Sequence, residues 1–451
     1  MALLSSRFAY GYGRLWAATT ASGVGDGTRT AALAVYAATL THDPFAVALV
    51  AVAGKLPWTC VGPFAGALVD RLDRWRTLWI CDVARALVTA SLVLLILTGR
   101  AGITVLAAVS FVLTSITTLA ENLSQAVVSD VVGEGSLESA NSRLMGGQLL
   151  SSEFLGAPLG TALFALGHPV PFALDTLSFA VSAVLVCSVR LPGARPAPSG
   201  AGRLTARAVV SETAEGIRWL WRHRVLRTVC VLVGALNFAV VAVLGIAVLY
   251  ALNVLHVSQR AYGMLLVVLA VGGLAGVLLA PAVTRVLGRA RTLQLAFALC
   301  PLSFLIAGTT SRPLVAAGAL AFVGAAISLA TVVTTSLRQA LVPGALFGRV
   351  NGGYRFVVNG VSPLGGLAGG ALAGVAGLRA PFLFAGALLA AATVTALLQL
   401  SPDALDAAGE DGRGERGAHA TARPPQATRT DEAAADERAE AAQRTQAPER
   451  T

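Results

Sequence analysis

The sequence predicts an all-α membrane protein with twelve spanning helices in two six-helix repeats, and three observations carry that prediction. The apolar residues fall in blocks about twenty long, enough to cross roughly 30 Å of hydrocarbon at 1.5 Å per residue. Charged residues are 13% of the 451 and hydrophobic ones 55%, with mean hydropathy +0.71, whereas a water-soluble domain carries about twice that charge. Short echoes recur between the two halves: Arg74-Trp75-Arg76-Thr77-Leu78 with Arg289-Ala290-Arg291-Thr292-Leu293, and Pro158-Leu159-Gly160 with Pro363-Leu364-Gly365. Repeated membrane folds leave this kind of trace.

In chain order the expected spans are Leu15–Leu40, Ala46–Val69, Leu78–Thr98, Ile103–Val128, Leu144–Leu166 and Phe172–Val189. Then come Val225–Leu249, Gly263–Val286, Thr292–Thr309, Leu314–Thr335, Tyr354–Gly377 and Pro381–Leu400. Residues 1–189 therefore form the first six-helix bundle and residues 225–400 the second. Between them, 190–224 is a loop whose start, Pro192 to Gly202, is rich in Pro, Gly and Ala and reads as a linker. Its end, Ser211 to Arg224, sets Ile217, Leu220 and Trp221 at helical spacing among arginines, as in a short interfacial helix. The tail 401–451 has almost no large apolar residues, cannot bury a core, and is expected to be disordered. The stretch from Met1 to Arg14 is short and polar, unlike a cleavable signal peptide.

Arginines set the orientation. The loops at Thr41–Phe45 and Gly167–Pro171 hold none, and their companions hold one each: Arg100, Arg260, Arg312 and Arg379. The opposite loops hold Arg7, Arg14, Arg71, Arg74, Arg76, six arginines between Arg195 and Arg224, and then Arg289, Arg291, Arg338 and Arg349. The positive-inside rule makes that face cytoplasmic, with both termini on it, in a cell membrane. The net charge of +10 is thus a topology signal, and without a compact basic domain no nucleic-acid partner is expected. The five cysteines (Cys60, Cys81, Cys187, Cys230 and Cys300) lie in apolar runs without metal spacing and read as small buried hydrophobes. No cofactor or metal is expected. Neither is an enzyme, since no HExxH, GxSxG, P-loop or dinucleotide fingerprint occurs.

Ionisable residues at membrane depth are the functional candidates, because each costs at least about 3 kcal/mol to insert and so faces protein or a water-filled cavity. Asp26 lies eleven residues into the first span, about 16 Å down, with Arg29 at i+3 positioned for an ion pair. Lys55, the only lysine, lies about 14 Å deep in the second span. Glu121 and Glu153 lie in spans four and five, and Asp82 with Arg85 just inside span three. No acidic residue occurs between Glu215 and Asp403. Any proton-coupling carboxylate must therefore come from the first half, where Asp26, Glu121 and Glu153 are expected as the only deep ones, Asp26 foremost. Arg29 and Lys55 would be counter-charges or substrate contacts.

Gly66-Ala67-Leu68-Val69-Asp70-Arg71-Leu72-Asp73-Arg74-Trp75-Arg76, set between the second and third spans, resembles the signature loop of the major facilitator superfamily. Further likeness lies in Leu119-Ala120-Glu121-Asn122-Leu123, Leu137-Glu138-Ser139-Ala140-Asn141 and Glu215-Gly216-Ile217-Arg218-Trp219-Leu220. The second half adds Leu337-Arg338-Gln339-Ala340-Leu341-Val342-Pro343 and Gly348-Arg349-Val350-Asn351. These stretches resemble the enterobactin-exporter-like, drug-exporting branch. The resemblance implies a central cavity between two rocking bundles and export of a small amphiphilic molecule by proton antiport, in a bilayer, by a monomer. An uncoupled facilitator or importer of a small metabolite is the alternative. It also implies a cytoplasmic latch at Gly66, Asp70, Arg71, Arg74 and Arg76, although Asp73 stands where many members have glycine and Arg285 replaces the acid in the second half. Gly156, Pro158 and Gly160 loosely resemble the Gly-Pro motif of antiporters, with Ala157 and Thr161 in place of expected glycines. Ordinary helix packing explains that stretch nearly as well.

Overall fold

The computed structural model describes residues 6–69, 72–131, 137–188, 206–343 and 346–399, and every regular element among them is helical. The tail 401–451 and most of the inter-half linker lie outside the described residues.

Helix α1 (Ser6–Leu40) begins earlier than the first apolar run. Its polar start is held down: the Tyr12 hydroxyl donates to the Ala140 carbonyl at 2.7 Å and Arg14 donates to that of Ser188 at 3.2 Å. The second span is not one helix but three, α2 (Pro44–Ala53), α3 (Leu56–Cys60) and α4 (Gly62–Val69). Pro57 and Pro63 have no N–H to continue the ladder, so the chain breaks at Gly54-Lys55 and again at Val61. Asp43 caps α2 by accepting from the Phe45 N–H at 3.0 Å, and Asp73 caps α5 (Arg74–Leu97) by accepting from the Arg76 N–H at 2.9 Å. That cap gives Asp73 a structural reason to stand where glycine was expected.

After α6 (Ile103–Val131) the fifth span comprises α7 (Leu137–Leu149), a π-helical segment (Leu150–Gly156) and α8 (Ala157–Phe164). Pro158 leaves the Phe154 carbonyl without its i+4 donor, and the wider turn just before it accommodates that loss. Helix α9 (Val170–Cys187) follows. Helix α10 (Ala206–Arg222) buries Leu220 and pairs Glu215 with Arg349 at 3.2 Å. Then come α11 (Arg224–Leu244), α12 (Ala247–Asn253), α13 (Gln259–Thr309), α14 (Pro313–Leu341), α15 (Phe347–Gly360), α16 (Ser362–Ala376) and α17 (Ala380–Gln399). Two expected spans share the 51-residue α13, which turns at Gly288 with a φ of 78°. Only glycine adopts that φ without strain. Eight helices among the described residues are long and apolar enough to cross a membrane.

Helices α1 to α9 pack mainly with one another, as do α11 to α17. Glycines bring the central helices together. A Cβ on Gly156 would lie 2.6 Å from the Val24 carbonyl of α1, and one on Gly160 would collide with the Thr28 backbone. Gly365, the repeat partner of Gly160, meets the Phe238 backbone of α11 in the same way. Small-xxx-small stripes permit such close approach, so the two Pro-Leu-Gly steps serve one packing purpose.

The two bundles meet mainly at the arginine-poor end, where α2 packs on α16, α8 on α13, and α1 on α12, with α3 also touching α15. The seam is tight. A Cβ at Gly370 would lie 2.7 Å from Ala48 Cβ and 3.0 Å from Phe45 Cα, and one at Gly263 3.0 Å from Pro158 Cα. Gly370→Leu is therefore expected to hold this end open. In a background lacking native cysteines, Ala48→Cys, buried in the parent, is expected to react with a membrane-impermeant maleimide at least about tenfold faster, as a shift of about 1.4 kcal/mol in the open–closed equilibrium would give. Unchanged labelling would exclude this seam as the closing contact.

Candidate functional site

Four helices of the first bundle bring six charged side chains together. Asp26 and Arg29 lie one turn apart on α1, and Asp82 and Arg85 one turn apart on α5, spacing that puts each pair on one helix face. Arg29 Nη2 is 2.6 Å from Asp26 Oδ1, and Arg29 Nε is 3.1 Å from Asp175 Oδ2 on α9. Arg85 pairs with Asp82 and reaches Asp26 Oδ2 at 3.7 Å, with its guanidinium 4.3 Å from the centre of the Phe179 ring. Ser182 donates to Asp82 Oδ2 at 2.7 Å, and Thr89 to Asp175 Oδ2 at 3.4 Å. Buried charges persist only with this density of partners.

Glu121, on α6, differs from the others. It accepts a long hydrogen bond from Gln148 Nε2 at 3.5 Å and forms no ion pair with an arginine among the described residues. It lines a cavity of about 470 Å³ together with Asp26, Asp82, Arg85, Gln148 and Ser182. The lining side chains come from α1, α5, α6, α7 and α9. Arg355, on α15 of the second bundle, acts electrostatically on Glu121.

Several sequence expectations need correction. Asp26, Glu121 and Glu153 are not the only deep carboxyls: Asp175 is 0% exposed and Asp82 1%. Arg29 is buried between Asp26 and Asp175 and does not line the cavity. Lys55 stands at the break between α2 and α3, exposed, and acts electrostatically on Glu153, itself exposed on the π-helical segment. Neither lines the cavity. Cys60 and Cys187 are exposed, while Cys81, Cys230 and Cys300 are buried. Of the expected latch, Asp70 and Arg71 lie outside the described residues, as does the surrounding of Gly66. Arg74 and Arg76 occupy the first turn of α5.

Asp175 carries a readable signal in hindsight. Asp175, Ser178 and Ser182 form one polar stripe along an otherwise apolar span, and Asp82, Arg85 and Thr89 form its counterpart on α5. Two such stripes can satisfy each other only face to face.

A helical protein with paired bundles and a charged cavity of about 470 Å³ within the first fits a membrane transporter, and its family is one of the major facilitator superfamily. More narrowly, the model of the transmembrane secretion effector family matches residues 8–413, and the chain belongs to that family. It is 27% identical over 379 residues to the multidrug efflux pump Tap of Mycolicibacterium fortuitum, covering 82% of this chain and 90% of that one. Among solved structures it superposes on the nucleoside transporter NupG with a TM-score of 0.72 at 12% identity, covering 87% of this chain and 100% of that one. A bacterial homologue of the iron transporter ferroportin in an inward-facing state gives 0.68 at 17%, covering 87% and 98%. Likeness at these identities concerns the fold.

Proposed function

We propose that the chain is a secondary active exporter of a small amphiphilic molecule, driven by proton antiport through alternating access. The observation that carries this reading is the charge imbalance of the first bundle: four carboxyls gather around two guanidiniums, and Glu121 is the carboxyl with no arginine. A carboxyl on a wet cavity wall, without a fixed counter-charge, is suited to exchange a proton as its surroundings change. Its family and the Tap relative support export. Twelve spans as 6+6, cytoplasmic termini, a cell-membrane location and a monomeric state belong to the same proposal, as do the boundaries 1–189, 190–224, 225–400 and 401–451. With the arginine-rich end taken as cytoplasmic, the closed seam is external and the cavity opens inward.

The test is transport in proteoliposomes with an imposed pH gradient, screening cationic, neutral and anionic amphiphiles. Uphill movement that collapses with a protonophore supports antiport. Equilibration alone, under every gradient, supports the uncoupled facilitator.

The latch remains part of the proposal. Asp70→Asn is expected to leave folding intact but to shift the two conformers by about 1–3 kcal/mol toward the inward-open one. Crosslinking between cysteine pairs across the cytoplasmic face is expected to fall. Unchanged crosslinking together with unchanged transport removes the assignment.

A further inference from the structure

Arg338 is out of place for a topology arginine. One near a span end normally extends its head to water or headgroups. Arg338, one turn before the end of α14, instead lies with its guanidinium carbon 3.7 Å from the centre of the Tyr354 ring. Its Nη2 donates to Thr335 Oγ1 at 3.2 Å, while Nε and Nη1 are buried without an acceptor among the described residues. The groups that act on it are Tyr354, Cys230 and Arg355, and no carboxylate is among them. None can be supplied nearby in sequence, because residues 216–402 contain no acid. The other deep arginines show what this chain does with a guanidinium it means to neutralise: Arg29 and Arg85 each meet two carboxylates. Even Arg379 is covered, by the carbonyls of Gly308 and Thr309 and the Ser311 hydroxyl.

Arg355, next in sequence to Tyr354, is exposed and also forms no ion pair among the described residues. Its field reaches both Arg338 in its own bundle and Glu121 in the other. Arg338 thus meets no acid among the described residues, and a guanidinium fork with unmet donors fits an oxyanion.

We propose that Arg338 and Arg355 form a receptor for an anionic oxygen group, a carboxylate, sulfonate or phosphate, on the second-bundle side of the transport path. The group belongs either to the exported molecule or to a lipid headgroup. This deepens the export reading and rests on it for the word transport, although binding itself can be measured without any gradient.

The experiment uses the full-length protein in phosphatidylcholine nanodiscs, titrated with dansylglycine, neutral dansylamide and cationic dansyl-ethylenediamine. Dansylglycine is expected to bind about tenfold or more tightly than dansylamide, the gain typical of a charge-assisted hydrogen bond. Arg338→Gln and Arg355→Gln are each expected to remove that preference while leaving dansylamide affinity unchanged. Equal binding of the three probes by the parent, or a preference that survives both substitutions, overturns the proposal. If Arg338→Gln fails to fold, Arg355→Gln, an exposed position, decides the matter. Repeating the titration with phosphatidylglycerol in the disc separates the sources: a lipid occupant weakens dansylglycine, and a cargo site is indifferent. A failed preference leaves proton-driven export standing, and failed uphill transport leaves the preference standing.

Discussion

Proteoliposomes carrying Glu121→Gln are expected to equilibrate substrate but never to concentrate it when a pH gradient is imposed. Glutamine keeps the shape and the hydrogen-bonding capacity toward Gln148 and removes the one property antiport needs, a proton that comes and goes. The loss of uphill accumulation is expected to be complete, while downhill flux stays within a few-fold of the parent. Asp26→Asn is expected to act differently. Asp26 bridges Arg29 and Arg85, so its neutralisation unbalances both guanidiniums and lowers stability along with coupling. Glu153→Gln, outside the cavity and opposite Lys55, is expected to have the smallest effect. Sustained accumulation by an Asp26→Asn, Glu121→Gln double mutant in response to the gradient would refute proton coupling through this cavity.

The largest stability effect is expected from Arg29→Met. Methionine fills similar volume but leaves the Asp175 carboxylate, 0% exposed, with only the Thr89 hydroxyl as a direct partner. Removing one member of a buried pair typically costs about 3–5 kcal/mol because the other charge remains. The cost is expected to shrink to about 1 kcal/mol when Asp175→Asn is added, since the stranded charge is then gone. Thermal unfolding of the purified variants in one detergent reads both changes. A double mutant no more stable than Arg29→Met would mean that Arg29 acts through packing and not through charge.

How much of this was legible in the sequence varied with the physics involved. Hydropathy and arginine placement report on transfer between water and lipid, a property of each segment by itself, and they located the helical segments well. The Asp26–Arg29 pair was legible for the same reason, because i,i+3 spacing is local. The break at Gly54-Lys55 was not, since a window average blurs a two-residue interruption. The partnership of Arg29 with Asp175 joins residues 146 positions apart (175 minus 29), and no local pattern encodes it. The two facing polar stripes on α5 and α9 were the available hint. Arg338 was the converse case: its place near a span end matched a topology signal, and only its neighbours on α11 and α15 reveal an unneutralised charge.

The π-helical segment in the fifth span has a mechanical meaning. A turn with one residue too many is a store of backbone, and passing that residue along the helix rotates everything beyond it by about 100° and advances it about 1.5 Å. Below the wide turn, Gln148 holds Glu121; above it, the Thr161 hydroxyl sits 3.3 Å from the Arg260 carbonyl of the opposite bundle. The chain thus places a clutch between the carboxyl proposed to take up a proton and the joint that closes the arginine-poor end. Slippage of that turn would let a change in one hydrogen bond at Glu121 be felt as a twist at the seam.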